Sequence, residues 1–327
     1  MSAPSIRFRN YRPGDGPQLA EAWSQAAPGD PITPTRLRNL VLLDRNFDPT
    51  GLVIAESDAG IVGAAYAVHR RVAETGADLQ AERGWILFFF VVPSARRAGI
   101  GRQLLTRALE WLREQGATEA IFSSYTPNYV LPGLDEQRYA EASALLQAEG
   151  FTVLERPSAM AMSLREYTLP DAERRRADEL RRQGWYLGTL PEEDVVPLVA
   201  LARDEFNADW GRAIREGLVA GMPREHLMVA KDPSGRMIGW AMFGTYEAVI
   251  DRFGPFGVLP SSRGTGLGRL LLHLTLERMA AYNAQTAWFL WADDGSAASG
   301  LYQKTGFEIT RTFSIMRAAL TGARSSQ

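Results

Sequence analysis

Val258–Gly268 reads V-L-P-S-S-R-G-T-G-L-G and runs directly into an apolar helical start, Arg269-Leu-Leu-Leu-His273. The run before it, Arg252–Val258, is strand-like. Strand, short Gly-rich turn, helix is the setting in which backbone N–H groups can face a phosphate. Glycines let the chain close around the oxygens where a Cβ would intrude. The helix N-terminus adds a partial positive charge and Arg263 a full one. A single such turn is equally an ordinary strand-to-helix loop. The chain carries a second: Val91–Gly101 reads V-V-P-S-A-R-R-A-G-I-G, followed by Arg102-Gln-Leu-Leu. Valine, proline, serine, arginine, both glycines and the following arginine and leucine recur at one fixed offset.

The rest of the chain repeats with the loops. Ala120–Ser124 matches Ala287–Trp291 at that offset, and Gly150-Phe151 matches Gly306-Phe307 at a shorter one. The first half is therefore longer between its late strand and last helix, in the loop at 126–137. A repeat near domain size is an internal duplication, not a solenoid. Helical periodicity predicts helices over 15–26, 35–43, 99–114 and 136–149 in the first half. It predicts helices over 195–206 and 266–282 in the second. Hairpin signals at Ser57-Asp-Ala-Gly60 and Asp232-Pro-Ser-Gly235 predict paired strands. Trp85–Val92 is the longest apolar run, suited to a buried strand and too short to cross a bilayer. Asp171–Gly184 interleaves acids and arginines with almost no apolar residue, which predicts a solvated helical linker rather than a nucleic-acid patch. The expected division is 1–168, a linker at 169–183, and 184–327.

Length, 327 residues, suits two domains. Net charge of −2 gives no electrostatic case for nucleic acid or membranes. With no cysteine there is no disulfide, zinc-thiolate site or cysteinyl acyl-enzyme. Three scattered histidines have no ligand spacing, so no metal is expected. Met1–Phe8 has no apolar signal segment, and a cytoplasmic protein is expected.

Arg263-x-x-Gly266-x-Gly268 opening a helix resembles the pyrophosphate loop of the Gcn5-related N-acetyltransferases (GNAT). Leu301-Tyr-Gln-Lys-Thr-Gly-Phe307 resembles that family's Tyr-x-x-x-Gly-Phe element. Arg96-x-x-Gly99-x-Gly101 and Leu146-Gln-Ala-Glu-Gly-Phe151 form a second set. The whole resembles a tandem GNAT protein, an arrangement similar to that of mycothiol synthase. The resemblance implies two α/β domains, each a mixed, mostly antiparallel sheet flanked by helices. It implies acetyl-CoA as cofactor and a small-molecule amine as acceptor, in a monomer or homodimer.

By the same resemblance, the pyrophosphate would sit on Arg263, Gly264, Thr265, Gly266, Leu267, Gly268 and Arg269. The pantetheine would pair with the strand edge at Phe256 and Val258. In the first half the matching set is Val92, Arg96, Arg97, Ala98, Gly99, Ile100, Gly101 and Arg102. Tyr302 stands at the family's general-acid position. A phenol of pKa ~10 protonates a thiolate of ~8.5 only uphill, by roughly 2 kcal/mol, so Tyr302 reads as a hydrogen-bond donor unless its pKa is lowered. The matching residue in the first half, Leu146, donates nothing, while Tyr139 lies two helical turns earlier. The C-terminal half is therefore expected to be catalytic, and the N-terminal half to keep a CoA site without turnover. Asp251, Glu247 and His226 are the candidate bases. Phe206 and Trp210, with Asp204, Glu205 and Asp209, are a candidate acceptor wall. Trp288 and Trp291 alternate on strand 287–291, where one face should be core and the other could line the acceptor pocket, core being the better reading. Two other readings stand beside this one: a non-catalytic acyl-CoA-binding sensor, and acetylation of a protein or peptide amine.

Overall fold

The computed structural model describes residues 5–320. The chain divides into two compact units, the first built from three segments of the sequence and the second from two. Unit 1 is Met1–Ala73, Asp78–Pro157 and Phe313–Gln327; unit 2 is Glu74–Ala77 and Ser158–Thr312.

Unit 1 begins with β1 (Arg7–Asn10), α1 (Gly16–Ala26) and a short α2 (Pro34–Leu37) that runs on into a π-helical turn at Arg38–Leu42. Next come β2 (Leu52–Ser57), β3 (Gly60–His69) and β4 (Arg83–Val91), the last nearly all apolar as its sequence requires. Then follow α3 (Ile100–Glu114), β5 (Glu119–Phe122), α4 (Ala140–Ala148) and β6 (Thr152–Glu155). Helix α3 buries Leu104, Leu105, Ala108, Leu109 and Leu112, the stripe that the 3.6-residue period picks out.

β7 (Pro157–Ser163) follows β6 directly but pairs within unit 2. The chain continues through α5 (Asp171–Arg182), β8 (Tyr186–Thr189), α6 (Val195–Glu205), α7 (Ala208–Val219), β9 (Leu227–Lys231), β10 (Met237–Phe243) and β11 (Phe253–Val258). It ends with α8 (Leu267–Ala281), β12 (Thr286–Asp293), α9 (Ala297–Thr305), β13 (Glu308–Thr312) and β14 (Ile315–Ala319). Helix α7 was not legible from periodicity. Its N-cap Asn207, whose Oδ1 accepts the Trp210 amide at 2.9 Å, restarts the helix after the break at Phe206.

Unit 1 is one sheet in the order β1-β2-β3-β4-β5-β14-β6. Only the β4–β5 pair of this sheet is parallel. Unit 2 has the same plan opened in the middle, as β8-β9-β10-β11 and β12-β7-β13. A strand borrowed from beyond its own half thus completes each: β14 lies between β5 and β6, and β7 between β12 and β13. The expected limits, 1–168 and 184–327, differ from the two units at these strands.

The charged helix α5 departs from expectation. It is a helix over Asp171–Arg182, but it is not solvated all round: Glu173 is 4% exposed and Ala177 1%. Glu173 pairs with Arg269 at 2.8 Å and Arg174 with Glu277 at 3.4 Å, so one face of α5 lies on α8. The i,i+4 pattern hid this because an acid that pairs across helices looks, in sequence, like one that pairs along its own.

Candidate active site

In each unit the two central parallel strands meet at one end and then part. β4 and β5 are in register from Arg83↔Glu119 to Ile86↔Phe122, after which Leu87–Val91 has no partner on that side. β11 and β12 share only the bridge Arg252↔Trp288. Diverging strands leave unsatisfied N–H and C=O groups along the cleft edge, a template for an extended ligand.

At the open end of each cleft the Gly-rich loop turns into its helix through two left-handed residues. In unit 2 these are Gly264 (φ 78°) and Gly266 (φ 81°); in unit 1 they are Arg97 (φ 66°) and Gly99 (φ 75°). Successive amides in such a turn converge on one point. Among the described residues, no hydrogen bond is made by the N–H of Gly264, Thr265 or Gly266, nor by that of Arg97, Ala98 or Gly99. The first turn of each helix adds its own unpaired amides. Both loops therefore fit a pyrophosphate.

The cations differ. Arg96 is tied down, Nε to the Val91 carbonyl at 3.1 Å and Nη2 to that of Ala26 at 2.9 Å. Arg263 is exposed, and its guanidinium makes no hydrogen bond to a described residue. Arg97 and Arg102 stand near Glu141 and Glu149, at 3.8 and 3.4 Å.

Helices α4 and α9 close the clefts in matched fashion. Leu145 Cδ2 lies 3.5 Å from where a Gly101 Cβ would be; Leu301 Cδ2 lies 3.9 Å from the same point on Gly268. The next residues, Leu146 and Tyr302, are thus true counterparts. Leu146 is fully buried in core. Tyr302 sits among Phe289 (ring centroids 4.6 Å), Phe307 (5.6 Å), Phe253 (6.1 Å) and Phe256 (6.3 Å), between the strands that part. Its hydroxyl has no partner among the described residues, and burial pushes the phenol well above its usual range. It therefore stays protonated, and its pKa is not lowered.

The candidate bases have other contacts. Asp251 lies at the closed end, where its Oδ1 accepts the Gln285 amide at 2.9 Å and its carbonyl accepts that of Trp288 at 3.0 Å. Glu247 faces Arg252 at 3.7 Å. His226 stacks on Phe243 (4.4 Å) with Tyr282 at its edge, and burial lowers its pKa. Phe206, of the candidate acceptor wall, lies over Gly257 of β11, with ring carbons 2.5–3.0 Å from where a Cβ would project. It stacks with Trp210 at 5.4 Å. Asp204 pairs with Arg203 and Asp209 with Arg212, leaving Glu205 as the acid of that group without a partner among the described residues. Trp288 and Trp291 are half-buried rather than core; the core position between them is Phe289, since the two tryptophans are three apart and straddle the pleat.

Unit 1 holds an open cavity of about 620 Å³ between β4, β5, its loop and α4. Sequence reasoning passed over Tyr139 there. Tyr139 is not on α4 but caps its start, so the two-turn spacing does not apply. Its hydroxyl donates to Asp30 Oδ2 at 2.6 Å, and both residues line the cavity.

Residues 17–130 match the acetyltransferase (GNAT) family profile, and residues 223–309 match an acetyltransferase (GNAT) domain profile. The mycothiol acetyltransferase of Clavibacter michiganensis subsp. michiganensis is 25% identical over 88% of this chain and 87% of its own. Among solved structures, the glucosamine N-acetyltransferase region of a fungal multi-domain GH3 β-N-acetylglucosaminidase superposes with a TM-score of 0.79 at 18% identity. That match spans 97% of this chain and 38% of the fungal one. A tandem GNAT protein from the clavulanic acid biosynthesis pathway gives 0.64 at 17% identity, over 98% of this chain and all of its own. At such identities these structures speak for the fold. With a GNAT profile matched in each half and the paired cleft, loop and helix repeated in both, the chain belongs to the GNAT acetyltransferase family as a tandem-domain member.

Proposed function

We infer that the protein transfers the acetyl group of acetyl-CoA to a primary amine of a small molecule, with the chemistry in unit 2. One observation carries the choice of unit: in matched backbone frames, Tyr302 offers a hydroxyl beside the cleft where Leu146 offers a methyl group.

Acetyl-CoA supplies an activated thioester. Amides of the 264–269 loop and the free Arg263 hold its pyrophosphate, and the open edge of β11 near Phe256 and Val258 pairs with its pantetheine. A backbone N–H near Val258 polarises the carbonyl that the amine attacks. Tyr302 donates a hydrogen bond to the departing sulfur. With its acidity lowered still further by burial, it stabilises the thiolate without surrendering its proton. The amine must lose a proton. Asp251 and Glu247 are the acids on the approach to β11, and a water relay to either is compatible with their hydrogen bonds. Phe206 and Trp210 wall the acceptor side, with Glu205 to hold a cationic group. Unit 1 binds CoA in its cavity without turnover.

Glucosamine, the acceptor of the fungal N-acetyltransferase region that shares this fold, is the first amine to assay. Tyr302→Phe keeps the ring and removes the hydroxyl. Single-turnover release of CoA with a panel of primary amines should slow by tenfold or more. Tyr139→Phe tests a second reading, favoured by the Tyr139–Asp30 bond in the unit 1 cavity: that unit 1 reacts. An unchanged kcat in Tyr302→Phe with a collapsed kcat in Tyr139→Phe would reverse the assignment. Tight acetyl-CoA binding with no turnover on any amine would favour a sensor.

A further inference from the structure

Helix α5 brings one arginine to the unit 2 loop that nothing in the family pattern calls for. All three terminal guanidinium atoms named for Arg176, Cζ, Nη1 and Nη2, lie 3.4 Å from where a Gly266 Cβ would stand. Nη2 donates to the Thr265 carbonyl, which is the side chain's one hydrogen bond to a described residue. Its Nε is buried without a partner. Among the described residues no carboxylate pairs with it: the acid one turn back on α5, Glu173, gives its Oε1 to Arg269 at 2.8 Å, and its buried Oε2 has no hydrogen-bond partner. A guanidinium carries five donors and no acceptor, so it takes none of the loop's amide N–H groups from a ligand. It occupies the Cα side of Gly266 and leaves those amides open. An unpaired cation fixed against an anion-binding turn is placed to add charge-assisted hydrogen bonds to whatever anion the turn holds.

On the reading that this loop holds CoA, we propose that Arg176 is a cofactor-binding residue: its guanidinium, delivered by the helix between the two halves, forms the outer wall of the pyrophosphate cradle and binds a pyrophosphate oxygen. A Cβ on Gly266 would come to 3.4 Å from the guanidinium, an ordinary contact, so it is the left-handed φ of 81° that calls for glycine there. The placement of Arg176 also explains why a helix so rich in charge is held to α8 by a buried glutamate: the Glu173–Arg269 pair sets the rotation of α5 that aims Arg176.

Hydrogen exchange of the 260–272 segment, followed across a titration of the full-length protein with CoA, reads this site separately from unit 1. Arg176→Gln should raise the CoA concentration for half-maximal protection by tenfold or more, and Arg176→Lys should restore part of the loss. Protection of 93–105 by the same titration, and exchange of 227–243 without ligand, should not change. 3′-Dephospho-CoA should show the same fold-change as CoA. An equal midpoint in Arg176→Gln would make the contact purely structural and overturn the proposal. A lower midpoint would make Arg176 a plug and overturn it likewise, and an effect lost with 3′-dephospho-CoA would move the contact off the pyrophosphate. If CoA protects 260–272 in no variant, the unmutated protein included, the cofactor reading itself falls and takes this proposal with it.

Discussion

Arg97 and Gly264 hold the same turn of their respective loops, at φ 66° and 78°. A side chain in the left-handed region costs about 1 kcal/mol or more, which unit 1 bears and unit 2 avoids. Nothing lies within 4 Å of where a Gly264 Cβ would be, so Gly264→Ala should destabilise unit 2 by about 1 kcal/mol through conformation alone. Denaturant unfolding would measure it; a loss above about 3 kcal/mol would mean a steric clash instead. His226 and His273 make a second residue-scale prediction. Burial, the largest cause in each, lowers both pKa values; Glu225 and Glu173 oppose it, while Arg278 and Arg269 add to it. A depressed folded pKa means that the unfolded chain binds more protons. Their contribution is whole above about pH 6.5 and is lost as pH falls below it toward the folded pKa values. His226→Gln should flatten the fall in thermal midpoint between pH 7 and pH 5; an unaltered slope would show that His226 is not part of it. The sequence made the loops and Tyr302 legible because glycine at a left-handed turn and a hydroxyl at a fixed step before Gly-Phe leave marks in the residue types. Contacts such as Tyr139 with Asp30 leave none, since 109 residues separate the partners.

At the scale of elements, β11 matters for what its two faces touch. Phe253 is 2% exposed and meets Phe256, Phe289, Tyr302 and Phe307, so it seats the tyrosine as well as the core. Phe253→Ala should cost about 3–5 kcal/mol and let the Tyr302 ring move. Phe253→Leu should recover most of the stability and less of the turnover. Equal recovery of both would mean that the ring does not position Tyr302. The strands and long helices were readable because each carries its own period: the apolar run of β4, the stripe of α3, the Gly-rich stop of each hairpin. Helix α7 and the buried face of α5 were not. One restarts within two residues of the previous helix, and the other buries a glutamate paired to an exposed arginine rather than a row of leucines.

For the molecule as a whole, the duplication was visible but the exchange of strands was not. β7 and β14 are ordinary apolar strands, and alternation along a strand says nothing of which sheet will take it. β14 pairs with β5 from Met316↔Phe122 to Ala319↔Glu119 and with β6 at Ile315↔Glu155. A fragment ending at residue 168 lacks β14, which leaves β5 and β6 with open facing edges. Such a fragment should bind hydrophobic dyes and unfold without a cooperative transition. Joining residues 313–320 through a short linker after residue 156 should restore both a sharp transition and near-ultraviolet circular dichroism. A native-like transition in the bare fragment would show that β14 is dispensable. The exchange also sets an order of events during synthesis. Residues 5–156 leave the ribosome with nearly everything unit 1 contains, yet the strand that closes its sheet is made last. At about 5–20 residues per second, that strand follows β6 by roughly 10–30 s. The first half to be made is therefore the last to be finished, and in the interval it presents two unpaired strand edges to any nascent neighbour or chaperone.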